Sequence, residues 1–422
     1  MDMARTLDSG VRPLDKAKPR PKAARIWWVV HQWTGLKLSL FMTFILFTGT
    51  LAVLSAEIDW VLQPSLRVAP STVEGPVAWA DIAENASEYP GVSKVTYINA
   101  PTASAFAAKV TVENKNGELF FLHAHPTTGE IQGTGPWAGA QRVLRNMHRH
   151  LNLPTWLGVP IVTSLAFLLL ITLVTSFFVY KKWWRGFAKP LRKRDARTWW
   201  GDFHRLAGVW SLWFVALISL TGVWYFIESL GGQAPPQPKV EREAVSSERT
   251  GSGNLRASID AALAAYPGLR VEAVALPTDN AVLQINGDFE AVLVRPRSNA
   301  VYVDTSTNEV LLTTDGRDLN LHQRIGEMAD PLHFGSFGGY WTKLVWFLFG
   351  LAMTALSVSG AAIYSLRIAR ERGDRVAIRR GFTGMWQGMG RWRALSVALI
   401  GIGFILIAFL IFLGIFSTYG QR

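Results

Sequence analysis

Five stretches of this chain are apolar for long enough to cross a membrane, which constrains its fold more than any other feature. A hydrocarbon core of about 30 Å needs about 20 apolar residues in a helix. Such runs cover roughly 33–56, 156–180, 206–227, 341–366 and 394–418. Lipid satisfies no backbone polar group, so each run predicts a helix. The first run follows a basic tail, as a signal peptide does, but it exceeds the roughly 7–15 residues of a signal core. It therefore reads as an uncleaved anchor, with Leu54-Ser55-Ala56 resembling a cleavage site.

Charge orients these helices. Residues 1–25 hold seven Lys/Arg, 181–205 hold nine and 367–393 hold eight, and these segments together carry a net +17 against −5 for the rest of the chain. A basic excess in short loops marks the cytoplasmic side. The N-terminus is then inside, the two long connections outside, and the fifth span returns the chain to the outer face. Charge interleaved with membrane spans argues against a nucleic-acid partner and leaves membrane lipid as the surrounding partner. There is no cysteine. Disulfides, Fe–S clusters and thiolate chemistry are excluded, and any metal must be held by His, Met, carboxylate or backbone.

The two long connections are related. "ADIAENASEYPGVSKV" (80–95) and "ASIDAALAAYPGLRVEAV" (257–274) each predict a short amphipathic helix closed by Tyr-Pro-Gly. Alternating strands follow, with Asn116-Gly117 as a hairpin turn, and Thr128-Gly129-Glu130 matches Thr307-Asn308-Glu309. The fold class is a membrane α-helical bundle, four core spans plus a fifth, with duplicated small α+β domains outside. The expected order is a basic tail 1–25, span 26–56, outer domain 57–150, span 151–180, inner loop 181–203, span 204–228, outer domain 229–339, span 340–366, inner loop 367–393 and span 394–418. The repeat offset is about 175 by the match of Tyr89 to Tyr266. Residues 234–253, rich in Pro, Ser and Gly, read as a flexible lead-in.

Titratable groups near membrane spans are functional candidates, and here the histidines fall at matching ends of the repeats. His31 opens "HQWTGL" and His204 opens "HRLAGVW" at the inner ends of spans one and three. His148 and His150 precede span two; His322 and His333 precede span four. Positions i and i+4 share a helix face, so His31 stacks with Gly35 and His204 with Gly208. A glycine there leaves room for a flat macrocycle beside an axial histidine; close helix packing is the other use of a small residue. Bis-histidine ligation in a bundle holds haem, and without cysteine the haem is b-type. Two pairs imply two haems, His31 with His204 inside and His148 with His333 outside. Arg142, Arg145 and Arg149 share a face before span two and suit haem propionates or an anionic substrate, or form a solvated basic face. Lys37 either meets a propionate or snorkels. Thr48-Gly49, Thr221-Gly222 and Ser359-Gly360 read as helix packing, and the tryptophans at span ends as an interfacial belt.

These residues carry a resemblance. "HQWTGL", "HRLAGVW", "MHRHL", "DPLHFGSFGG" and the repeated outer domain resemble the PepSY-associated transmembrane family, which includes ferric-siderophore reductases of the ferrioxamine type. The likeness covers spans one to four. It implies a haem-bearing reductase of the bacterial inner membrane, with His31, His148, His204 and His333 as iron ligands, His322 in reserve and the paired domains periplasmic. His125 departs from the pattern, standing where such domains have an acid like Asp304. The implied reaction is one-electron reduction of a ferric siderophore, releasing Fe(II). The inner loops are too short for a flavin or nicotinamide domain, and no Gly-rich fingerprint follows a strand. The donor is therefore external, quinol or a separate reductase. A regulatory, partner-binding module without redox activity is the alternative. A transporter is disfavoured, because the spans lack the buried acids and broken helices of an ion pathway. One difficulty is distance: His31 to Glu57 is about 39 Å of helix at 1.5 Å per residue.

Overall fold

The computed structural model describes residues 22–240, 254–278, 281–371 and 378–412. Most of the basic tail, the lead-in from 241, residues 372–377 of the second inner loop and the end of the last apolar run lie outside the described residues.

The chain enters through α1 (Lys22–Leu36) and α2 (Ser39–Val53), then α3 (Ser55–Leu62). Helices α1 and α2 meet at a 62° bend, so the first apolar run is a broken helix, contrary to the unbroken spans expected above. Lys37 lies at the break, and its Nζ donates to the Gly388 carbonyl at 2.8 Å. The charged residue of the run thus meets a backbone carbonyl across the bundle.

A first half-sheet follows: α4 (Trp79–Ser87), β1 (Val92–Asn99), β2 (Ala108–Asn114), β3 (Leu119–Ala124) and β4 (Ile131–Pro136). Helix α5 (Ala140–His150) leads to α6 (Thr155–Thr163) and α7 (Leu165–Val179), which together make one membrane-length helix from Thr155 to Val179. Then come the continuous α8 (Ala196–Ser229), α9 (Leu255–Ala265) and a second half-sheet of β5 (Arg270–Ala275), β6 (Val282–Asp288), β7 (Ala300–Asp304) and β8 (Glu309–Thr314). Helices α10 (Leu321–Phe334), α11 (Gly339–Glu371), α12 (Ile378–Met389) and α13 (Trp392–Phe412) complete the described chain. Among the described residues four helices are long and apolar enough to cross a membrane, five if the bent pair is one span.

The two long connections, read separately above, share one antiparallel eight-stranded sheet in the order β4-β3-β2-β1-β5-β6-β7-β8. Its seam is short: Tyr97, Ile98 and Asn99 face Ala275, Val274 and Ala273. Alternation places Ala108, Val110 and Val112 of β2, and Leu283 and Ile285 of β6, on one buried face. Ile82 of α4 and Ile259 and Ala262 of α9 pack there, in a single apolar core. The hairpin at Asn116-Gly117 forms as expected, with Gly117 at φ +79° and the Asn114 carboxamide accepting from the Asn116 and Glu118 amides. The turns at Gly129 and Asn308 both take positive φ, +71° and +60°, which is why the aligned residues are Gly and Asn, the types that tolerate it.

Candidate functional site

Two pairs of histidines meet inside the bundle. His31 of α1 and His204 of α8 have ring centroids 6.5 Å apart with planes at 85°. His148 of α5 and His333 of α10 are 6.2 Å apart with planes at 37°. Both partnerships are those expected from the repeat.

Each element holding a histidine is itself fixed. Asp59 of α3 anchors the start of α5, its Oδ1 accepting from the Ala140 amide at 2.6 Å and its Oδ2 from Gln141 at 3.1 Å. A capping box of Asn320 and Gln323 starts α10. Gly335 ends α10 at φ +68°, where a Cβ would lie 2.5 Å from the Trp346 ring. Arg295 clamps α10 through Glu327 at 2.7 Å and Asp330 at 3.0 Å. Burial works to raise the Glu327 carboxyl, but the guanidiniums of Arg295 and Arg297 outweigh it and hold it below the usual range. Asp330 also accepts from the Tyr225 hydroxyl at 2.6 Å, and the Tyr225 ring stands 5.2 Å from His333.

The ring nitrogens define the chemistry. His148 Nδ1 lies 2.9 Å from the Ile45 carbonyl and His31 Nδ1 3.2 Å from the Thr172 carbonyl. A carbonyl only accepts, so both Nδ1 atoms carry the proton. His204 Nδ1 meets Ser359 Oγ at 2.8 Å, and His333 Nδ1 meets Thr221 Oγ1 at 2.8 Å. These hydroxyls already donate within their own helices, Ser359 to the Leu356 carbonyl and Thr221 to Leu217. With the hydroxyl protons so placed, their oxygens accept from the imidazoles. All four rings take the Nδ1–H tautomer, which leaves a lone pair on Nε2. Ring orientation and tautomer set in this way are what a metal-ligating histidine needs. The dipeptides read as helix packing are part of this arrangement: a Cβ on Gly49 would lie 2.6 Å from His148 Cε1, and one on Gly360 3.5 Å from His204 Cε1.

A cavity of about 470 Å³ adjoins the sheet-distal pair, His31 and His204, and is lined by Gly35, Gly208 and apolar side chains such as Met42, Leu169 and Met353. At Gly35 a Cβ would meet nothing within 4 Å, and at Gly208 only Leu356, at 3.7 Å. These glycines therefore open onto space, and close helix packing does not account for them. Two buried polar atoms on the lining, Arg205 Nε and Tyr180 Oη, have no hydrogen-bond partner. Sequence reasoning missed both, although Arg205 directly follows His204.

Among the described residues no group of three or more His, Asp or Glu is placed to hold a metal ion. Each pair offers two imidazoles and nothing more. A metal–imidazole bond of about 2 Å on either side gives a centroid separation of about 6 Å, the spacing both pairs have. The pairs also lie closer together than the length of the first span implied. His148 bonds to Ile45, fourteen residues from His31, or about 21 Å of helix before the 62° bend shortens it.

The remaining candidates fall elsewhere. His322 is exposed, with Nε2 3.2 Å from the Gly232 carbonyl, and joins neither pair. His125 bonds Thr72 Oγ1 at 2.9 Å and sits at the turn after β3. Asp304 organises the corresponding turn through the Ser306 amide and hydroxyl, so a turn-forming role accounts for both residues. Arg145 and Arg149 line a second cavity, at the sheet end of the bundle. His150 lines it too, and burial, then Arg149, pushes its imidazole down to about 4.

His123 is fully buried in β3 with Nδ1 2.8 Å from Ser65 Oγ. Burial, and then the Lys109 ammonium, pushes it down to about 4. The unfolded chain takes up a proton near pH 6.5 and the folded protein only near pH 4. Stability should therefore fall by on the order of 3 kcal/mol as pH drops through that window. Thermal unfolding at pH 7 and pH 4.5 checks this: His123→Gln should flatten the acid loss, and an unchanged acid loss would assign it to other groups.

A bundle of membrane-length helices carrying facing histidine pairs, capped by one antiparallel sheet, defines the class: a membrane protein with a sheet domain at one end. The model of the PepSY-associated TM region matches residues 28–367, and the chain belongs to that family. No curated protein matches it.

Proposed function

We propose that the protein is a membrane haem protein that passes single electrons to ferric siderophores at the sheet end of the bundle. The observation that supports this is the state of the four histidines, each with Nδ1–H committed and Nε2 available, in two pairs spaced for one metal ion. His31 with His204, and His148 with His333, would each hold one haem. The open faces of Gly35 and Gly208 suit such a group, and Arg205 and Tyr180 suit its propionates. Haem at both pairs would supply one-electron carriers toward the two sides of the membrane. Without cysteine it would be b-type.

We place the protein in the bacterial inner membrane, with the N-terminus cytoplasmic and the sheet periplasmic. On this reading Arg25–Val53 is the first of five spans and the half-sheets are tandem copies. The electron source is external, quinol or a separate reductase.

Haem quantitation on purified protein tests the assignment. A low-spin bis-histidine spectrum is expected, and a preparation lacking a pyridine-haemochrome signal would leave a partner-binding module without redox activity. The hydroxyl acceptors give a finer test. Thr221→Val leaves the His333 Nδ1–H without its acceptor and should weaken haem retention at that pair about 10–100-fold. Thr221→Ser should restore it. Haemin titration into apoprotein reads both.

A further inference from the structure

A cavity of about 1060 Å³ opens at the sheet end of the bundle, and its charge is one-sided. Arg142, Arg145 and Arg149 recur on one face of α5, and Lys109 of β2 joins them. The carboxylate in the lining, Asp59, is already engaged by the Ala140 and Gln141 amides and the Gln63 carboxamide. Among the described residues no carboxylate forms an ion pair with these four cations. Arg142 instead lies 3.6 Å from the Trp137 ring centre, Arg145 5.2 Å from that of Phe334, and Lys109 4.9 Å from that of Phe121. Lys109 also donates to Gln141 Oε1 at 3.2 Å. Burial, and then the neighbouring Arg145, lowers Arg142 to about 10. An anion seated here would relieve that mutual repulsion.

His148 lies between Arg145 and Arg149 on the same helix, and the basic stripe runs about a quarter-turn round from it. A helix with its side chains is about 10 Å across. A ligand held by the stripe therefore lies within about one helix width of His148.

We propose that this cavity is the chelate site and that it selects ferric chelates of net negative charge, bound through ionised carboxylate or catecholate oxygens, over neutral trishydroxamates. This rests on the reductase reading above for the reaction, though not for the binding. The balance is one electron per iron: one quinol reduces two Fe(III) chelates to Fe(II) and releases two protons. Loss of a positive charge from the metal then weakens its hold on hard oxygen donors.

Gallium(III) citrate, which does not accept the electron, tests binding alone. In phosphatidylcholine nanodiscs it should bind at least tenfold more tightly than the gallium complex of a neutral trishydroxamate. Lys109→Gln with Arg142→Gln should weaken citrate binding at least tenfold, with the haem spectrum unchanged. Equal affinity for the two complexes overturns the proposal. So does loss of haem in the double variant, which would assign these cations to propionates, and so does loss of citrate binding on adding phosphatidylglycerol, which would assign the cavity to a lipid headgroup. Intact citrate binding without iron reduction would instead sink the reductase reading and leave the site standing.

Discussion

Alanine at His148 or at His333 should remove about half of the bound haem and abolish reduction of ferric chelates. On the proposed assignment these two rings would together hold one haem, and among the described residues no third His, Asp or Glu is grouped with them. The other pair should stay loaded, because His31 and His204 are fixed by Thr172, Thr175 and Ser359, none of which touches α5 or α10 through a hydrogen bond. Pyridine-haemochrome quantitation and the reduced spectrum of each variant read the result. Full haem and full rate in both variants would return these histidines to a packing role.

Alanine at His31 or at His204 should give the complementary phenotype. About half of the haem is again lost, together with reduction driven by the physiological donor. Protein pre-reduced with dithionite should still be oxidised by a ferric chelate, because the sheet-proximal pair is intact. Stopped-flow oxidation separates the two classes of variant. Loss of chelate oxidation in the pre-reduced His204→Ala protein would place the two pairs in the opposite order.

The histidine pairing was legible because the chain states its pattern twice: His31 and His204 with glycines four residues on, His148 and His333 ahead of the next spans. What seats the rings was not legible. Thr221 and Ser359 read as helix packing and Thr175 carried no signal at all, and only the packing of helices far apart in sequence brings them to an imidazole. The Thr48-Gly49 pair was visible as a motif, yet its meaning depends on His148 of another helix lying over it. Lys37 stood out as a charge within an apolar run, but its carbonyl partner at Gly388 lies 351 residues away. The strands followed from alternation, whereas their union in one sheet rests on three residue pairs with no distinctive side chains.

That seam imposes an order on assembly. Asn99 at the end of β1 and Ala273 of β5 can become neighbours only once the chain between them, which carries α5 and the two membrane-length helices Thr155–Val179 and Ala196–Ser229, has been made. Until then β1 is an edge strand with unpaired amides and carbonyls, a surface prone to pair with other chains. A bare β1 edge is thus the mark of a nascent chain whose middle helices have not been placed, and it is the feature by which quality control could tell an unfinished molecule from a finished one.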